Sequence, residues 1–178
     1  MKSTTILYSI TCSLVAAQVA IASGDVVVLR QADMKAIAAA AKTIAGMFKE
    51  PATYSSGEFK WAADTIRDRA GSVLVDHFAT ETAAPSSKAK PNIVEERDRF
   101  DRLANDLKSY ATALDAAAAA NPSQMTESMR MKPGEPMGGG PLGTHVQSEA
   151  KLSSLPAEHA FHLMLQTCST CHARFRME

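Results

Sequence analysis

The stretch that decides the fold reads Pro156-Ala157-Glu158-His159-Ala160-Phe161-His162-Leu163-Met164-Leu165-Gln166-Thr167-Cys168-Ser169-Thr170-Cys171-His172-Ala173-Arg174-Phe175. Ala157, Phe161, Met164, Cys168 and Phe175 fall at spacings that return to one face of a helix. Pro156 suits the start of such a helix, where a missing N–H costs nothing. Cys168 and Cys171 are three residues apart, and His172 follows directly. On a helix the two sulfurs therefore share a face, with an imidazole beside them.

Three earlier segments carry the same period. Residues 25–49 show the stripe Met34, Ile37, Ala41, Ile44 and Phe48, and Pro51 ends it. Residues 56–78 show Phe59, Ala63, Ile66, Ala70, Val73 and His77. Ser55 or Ser56 is available as cap, Glu58 lies in the first turn, and Gly71 weakens the middle. Residues 91–120 open on Pro91, carry Ile93, Phe100, Leu103, Leu107, Tyr110 and Leu114, and close at Asn121-Pro122. The short apolar run Val26-Val27-Val28-Leu29 reads as the opening turn of the first helix. Four amphipathic helices without a strand signal predict an all-α four-helix bundle.

Two linkers separate these helices. Residues 79–90 are rich in Thr, Ser, Ala and Pro. Residues 122–154 hold Pro122, Pro133, Pro136, Pro141 and Gly138-Gly139-Gly140, and read as a long flexible insertion. Met125, Met129, Met131, Met137 and His145 lie in it. Thioether-rich exported segments can take Cu(I), but the plain reading is a mobile loop.

The 178-residue chain suits one domain, with 46% hydrophobic and 21% charged residues. Nineteen basic residues balance nineteen acidic ones, which gives no basic surface for nucleic acid. Lys2, the apolar run 6–22 and the small-x-small triplet Ala20-Ile21-Ala22 read as a secretory signal peptide, cleaved near Ala22. A membrane anchor is the competing reading, and the run is short for it. Residues 23–178 are then the exported domain, without stable membrane association. Cys12 leaves with the signal, so only Cys168 and Cys171 remain.

Two cysteines in an exported chain ordinarily form a disulfide. Held as Cys-Ser-Thr-Cys-His, they match the attachment signature of a c-type haem. Both sulfurs reach one edge of a porphyrin, and His172 reaches its iron. A thiol redox pair lacks its usual βαβ setting, a zinc site lacks a second Cys pair, and a disulfide leaves His172 without a role. No paired carboxylates, triad or phosphate loop marks an enzyme.

The sequence resembles a class II c-type cytochrome of the cytochrome c′ family. Ala160-Phe161, Cys168 to His172 and Phe175-Arg176 carry the likeness, with Arg30-Gln31-Ala32-Asp33-Met34 and Lys88-Ala89-Lys90-Pro91-Asn92-Ile93. Val94 stands where the family often has Trp, and the insertion 122–154 exceeds the usual link. The resemblance implies one covalent haem c on a C-terminal attachment helix, a periplasmic location and redox partner proteins. It also allows a homodimer through the first two helices.

It further implies that Met34 approaches the iron opposite His172 and that Arg30 lies near the propionates. A His172/Met34 pair is a low-spin electron carrier. If Met34 is instead a core residue, the protein is a five-coordinate binder of nitric oxide or carbon monoxide. Arg176 could shape the His172 side or complement the helix end. Trp61 could cover the haem or pack in the core. Phe100 and Phe161 read as core, His77 as partly buried, and His159 and His162 as exposed.

Overall fold

The computed structural model describes residues 11–79, 86–132, 134 and 152–178, with side chains from Val26 onward. Helix α1 (Thr11–Lys49) runs unbroken past the expected cleavage point near Ala22, and residues 26–29 are helical within it. It stops before Pro51, which opens a 3-10 turn, Pro51–Thr53. Helix α2 (Ser56–Arg67) begins at Ser55, whose hydroxyl accepts the Glu58 N–H at 3.4 Å.

The expected single helix over 56–78 is two. The chain turns at Gly71, whose φ of +63° and ψ of −136° lie in a region that a Cβ makes costly. The Gly71 N–H leaves its own helix and donates to the Ala104 carbonyl at 2.9 Å. Helix α3 (Ser72–Asp76) resumes with a new phase, so Leu74 is buried and Val73 is exposed. Helix α4 (Arg97–Ala120) begins later than Pro91. Pro91 opens a separate 3-10 turn, Pro91–Ile93, because the residues before it are held extended. Helix α5 (Ala157–Phe175) carries the cysteines and starts beside Pro156 as expected.

Ring contacts fix the helix directions. Phe48 at the end of α1 meets Phe59 near the start of α2 at 5.5 Å, edge to face. It also meets Phe161 near the start of α5 at 5.6 Å. Phe100 at the start of α4 meets Phe175 at the end of α5 at 5.5 Å. The result is an up-down-up-down four-helix bundle. A large apolar cluster around Ile44, Phe59, Ile66, Tyr110, Leu114 and Met164 fills most of it. A second, smaller cluster of Leu74, Ile93, Phe100, Ala104 and Phe175 lies around α3 and the ends of α4 and α5.

Part of the segment 122–154 is folded onto the bundle. The 3-10 turn Glu127–Met129 buries Met129, and Met125 packs on the large cluster. Arg130 donates to the Phe48 carbonyl and pairs with Glu158 at 3.1 Å, tying this turn to α1 and α5. Two of the five candidate soft-metal residues are thus engaged in packing, while Met137 and His145 lie outside the described residues. His159 on α5 is buried, where the sequence stripe left it exposed.

Replacing Gly71 with Ala imposes a side chain on this backbone, with the added Cβ 2.7 Å from the flexible Lys108 side chain. Urea unfolding should show the variant destabilised by about 1–3 kcal/mol. An unchanged midpoint would mean the turn relaxes without cost.

Candidate functional site

α1 packs on α2, α2 on α4, and α4 on α5. α1 and α5 touch through Phe48 and Phe161 and separate toward their other ends. The gap is a cavity of about 460 Å³, within the range of roughly 300–1,000 Å³ usual for small-molecule sites. Arg30, Met34 and Ala38 line it from α1, and Cys171, His172 and Phe175 from α5. Leu74, Phe78, Ile93 and Phe100 complete a mostly carbon wall.

The expected site residues therefore converge, with one exception. Arg30, Met34, Cys171 and His172 line one cavity. Cys168 lies one turn before Cys171 and packs on the large cluster, while Cys171 packs on the small one. Both thiols are free. Burial raises the Cys168 thiol, and burial followed by the nearby Cys168 pushes Cys171 up to about 12. Partial desolvation, then the Arg176 charge, lowers the His172 imidazole, which favours its neutral, ligand-competent form. Met34 packs against both clusters at once.

Arg30 is 7% exposed, and burial pulls its guanidinium below its ordinary value. Its Nε donates to the His77 carbonyl at 2.8 Å, and Nη2 donates to the same oxygen. The guanidinium also stacks 4.1 Å from the centre of the Phe78 ring. Its Nη1 is buried and has no protein partner. The His77 ring stands 3.5 Å from Asp33, which also pairs with Arg69 at 3.3 Å.

Sequence reading missed Arg97 and the pairing of residues 88–90. Arg97 donates to Phe78 O at 2.6 Å and Val75 O at 2.9 Å. With Arg30 it satisfies the carbonyls at the end of α3, where cations are favourable. Lys90 N donates to Phe175 O and Met177 N to Lys88 O, both at 2.8 Å, around an antiparallel bridge between Ala89 and Arg176. Asn92 reaches Arg174 O at 3.4 Å, and Arg174 pairs with Glu96. The Lys88 to Ile93 motif is therefore a strap that fixes the chain just after His172. Trp61 is 65% exposed and belongs neither to the cavity nor to the core.

These residues fit a covalently held haem. Two free thiols share a helix face, an imidazole follows them, the walls are apolar, and a buried cation keeps an unused donor for a carboxylate. Among the described residues, no cluster of three His, Cys, Asp or Glu offers a metal site, and no helix is long and apolar enough to cross a membrane.

A family model described as cytochrome c′ matches residues 25–133. No curated protein matches the chain. Cytochrome c′ from Thermochromatium tepidum superimposes with a TM-score of 0.61 at 19% identity, covering 88% of this chain and 97% of that one. A cytochrome c′ mutant from Rhodopseudomonas palustris gives 0.58 at 24% identity, over 86% and 98%. The nitric oxide complex of a mutant from Alcaligenes xylosoxidans gives 0.59 at 18%, over 88% and 97%. At these identities the structural likeness establishes a shared fold.

Arg30→Ala should lower stability by about 1.5–3 kcal/mol in denaturant unfolding, because it strips the His77 carbonyl of charged donors. Arg174→Ala, which breaks only an exposed pair, should shift the transition little. Equal losses in the two variants would contradict the structural role given to Arg30.

Proposed function

Because the chain belongs to the cytochrome c′ family, we propose that it is a periplasmic mono-haem protein that binds nitric oxide or carbon monoxide at the iron face opposite His172. Its cofactor is one covalent haem c. Cys168 and Cys171 would hold it through thioether links, and His172 would ligate its iron. Residues 1–22 are the export signal and are removed. Residues 23–178 form the working domain, with an insertion at 122–154.

The observation that carries this reading is the place of Met34. It is the one sulfur or imidazole on the cavity wall outside α5 among the described residues, and it packs against both apolar clusters. A thioether committed to packing between two clusters is a core residue in the first instance. The nitric oxide complex of the Alcaligenes xylosoxidans relative supports the same ligand class.

Each residue then has a physical task. Arg30 holds a propionate with its free Nη1 while the His77 carbonyl fixes its other donors. Leu74, Phe78, Phe100 and Phe175 exclude water, and no carboxylate lines the cavity among the described residues. The strap 88–90 fixes the chain beyond His172 and so steadies the imidazole. Held this way, haem supplies an iron whose free face accepts a neutral diatomic molecule. This is a binding role and not substrate turnover. The exposed apolar side chains Val28 and Leu29 on α1 and Trp61 on α2 support a homodimer through the first two helices.

A second reading keeps electron transfer through a His172/Met34 pair, and the presence of Met34 on the cavity wall favours it. Absorption spectra of the exported protein, oxidised and reduced, with and without carbon monoxide, separate the two. High-spin bands that shift with carbon monoxide are expected, and Met34→Leu should leave them nearly unchanged. Low-spin bands that ignore carbon monoxide in the native protein, and respond to it in Met34→Leu, would overturn gas binding and establish Met34 as ligand.

A further inference from the structure

Arg97 is a partly exposed residue at the start of α4 and does not line the cavity. Its guanidinium nonetheless reaches the end of α3 in two places, Phe78 O and Val75 O. Nε stands 2.9 Å from Asp101, one turn later on α4, which offsets the charge. Phe100 is three residues after Arg97 and so lies on the same face of α4. Its ring meets the Phe78 ring at 4.8 Å. One face of α4 therefore grips Phe78 twice, by carbonyl and by ring. A five-residue helix has too few internal hydrogen bonds to hold its own shape, and its last carbonyls need outside donors.

The end of α3 in turn holds Arg30. The His77 carbonyl takes Nε and Nη2, and the Phe78 ring lies against the guanidinium. The Arg30 nitrogen left over is Nη1. Its place at the cavity wall is thus set by His77 and Phe78, and theirs by Arg97. We propose that Arg97 is a positioning residue for the haem: it acts through α3 to fix the Arg30 donor that meets a propionate, and so helps to set the reduction potential. This rests on the haem-binding reading above. A fixed cation beside a propionate favours ferrous haem, which carries one positive charge fewer than ferric haem. Shape matters here more than charge. A guanidinium spans two carbonyls at once, whereas an ammonium is a single point donor.

The test uses haem-loaded protein and two readouts. The first is the midpoint potential from a spectroelectrochemical titration. Arg97→Ala should lower it, in the same direction as Arg30→Leu. Arg97→Lys keeps the charge and should lower it too. The double variant Arg30→Leu/Arg97→Ala should fall no further than Arg30→Leu alone, because both residues act through one contact. Ile44→Val trims the large cluster away from the cavity and should weaken the bundle without moving the potential. The second readout is solvent exchange of the Arg30 Nε–H, followed by nitrogen-edited NMR on the ferrous protein under carbon monoxide. Exchange should quicken roughly tenfold or more in Arg97→Ala, the scale on which losing a charged hydrogen bond shifts an opening equilibrium. An unchanged potential in Arg97→Ala would overturn the proposal, whatever the exchange does. So would a native potential in Arg97→Lys, which assigns the effect to charge, or additive shifts in the double variant, which assign it to a separate route. A preparation with no covalent haem spectrum would remove the haem-binding reading instead, and Arg30 Nε–H exchange in that protein would still decide whether Arg97 fixes Arg30.

Discussion

Phe48 is the contact on which the architecture turns. Its ring meets Phe59 and Phe161, so α1, α2 and α5 are pinned together at one end. Aromatic pairs of this kind add to the area they bury, and they have a definite geometry. A bundle closed there can admit a large planar group only at its other end. That end lacks side chains able to fill it. The small cluster of Leu74, Ile93, Phe100 and Phe175 lines the space without closing it. The cavity is thus a direct result of where the aromatic residues fall along four helices.

The open end needs its own support, because α3 is only five residues long and ends beside the cavity. Two guanidiniums supply it. Arg97 takes the carbonyls of Val75 and Phe78, and Arg30 takes that of His77. A buried cation is tolerated only when its donors are used, and two of the three Arg30 nitrogens are. The third is the one buried side-chain polar atom without a hydrogen-bond partner among the described residues that line the cavity. Arg30 is therefore both a structural brace and the most direct mark of an anionic group that belongs beside it.

Much of this was legible in the sequence because helical period and the Cys168–His172 motif are local signals. The four stripes placed Ile44, Phe59, Leu114 and Phe161 in the core, and the structure buries all of them. The convergence of Arg30, Met34, Cys171 and His172 followed from the resemblance, since nothing in the spacing joins α1 to α5. The misses are tertiary. Gly71 counted as a mild helix weakener, but α2 has ended at Arg67, and the Ala104 carbonyl captures the Gly71 N–H where the chain turns. Pro91 looked like a helix start, but strap pairing with residues 175–177 holds the preceding chain extended. His159 looked exposed because it falls off the stripe of α5, yet it is buried, and burial set by tertiary neighbours leaves no periodic mark. Arg97 carries no local signal, because its acceptors, the carbonyls of Val75 and Phe78, come from the end of another helix.

The strap also bears on how the molecule assembles. Helical hairpins join residues close in sequence and form quickly, whereas joining residues 88–90 to 175–177 must close most of the chain into a loop. Such a closure pays its entropy before it gains its two hydrogen bonds, so it belongs to the end of the folding order. Ser87, Lys88 and Ala89 line the cavity, so until the strap closes one wall of it is missing, and Cys171 and His172 are reachable from that side. Late closure of the strap then shelters whatever has been joined there.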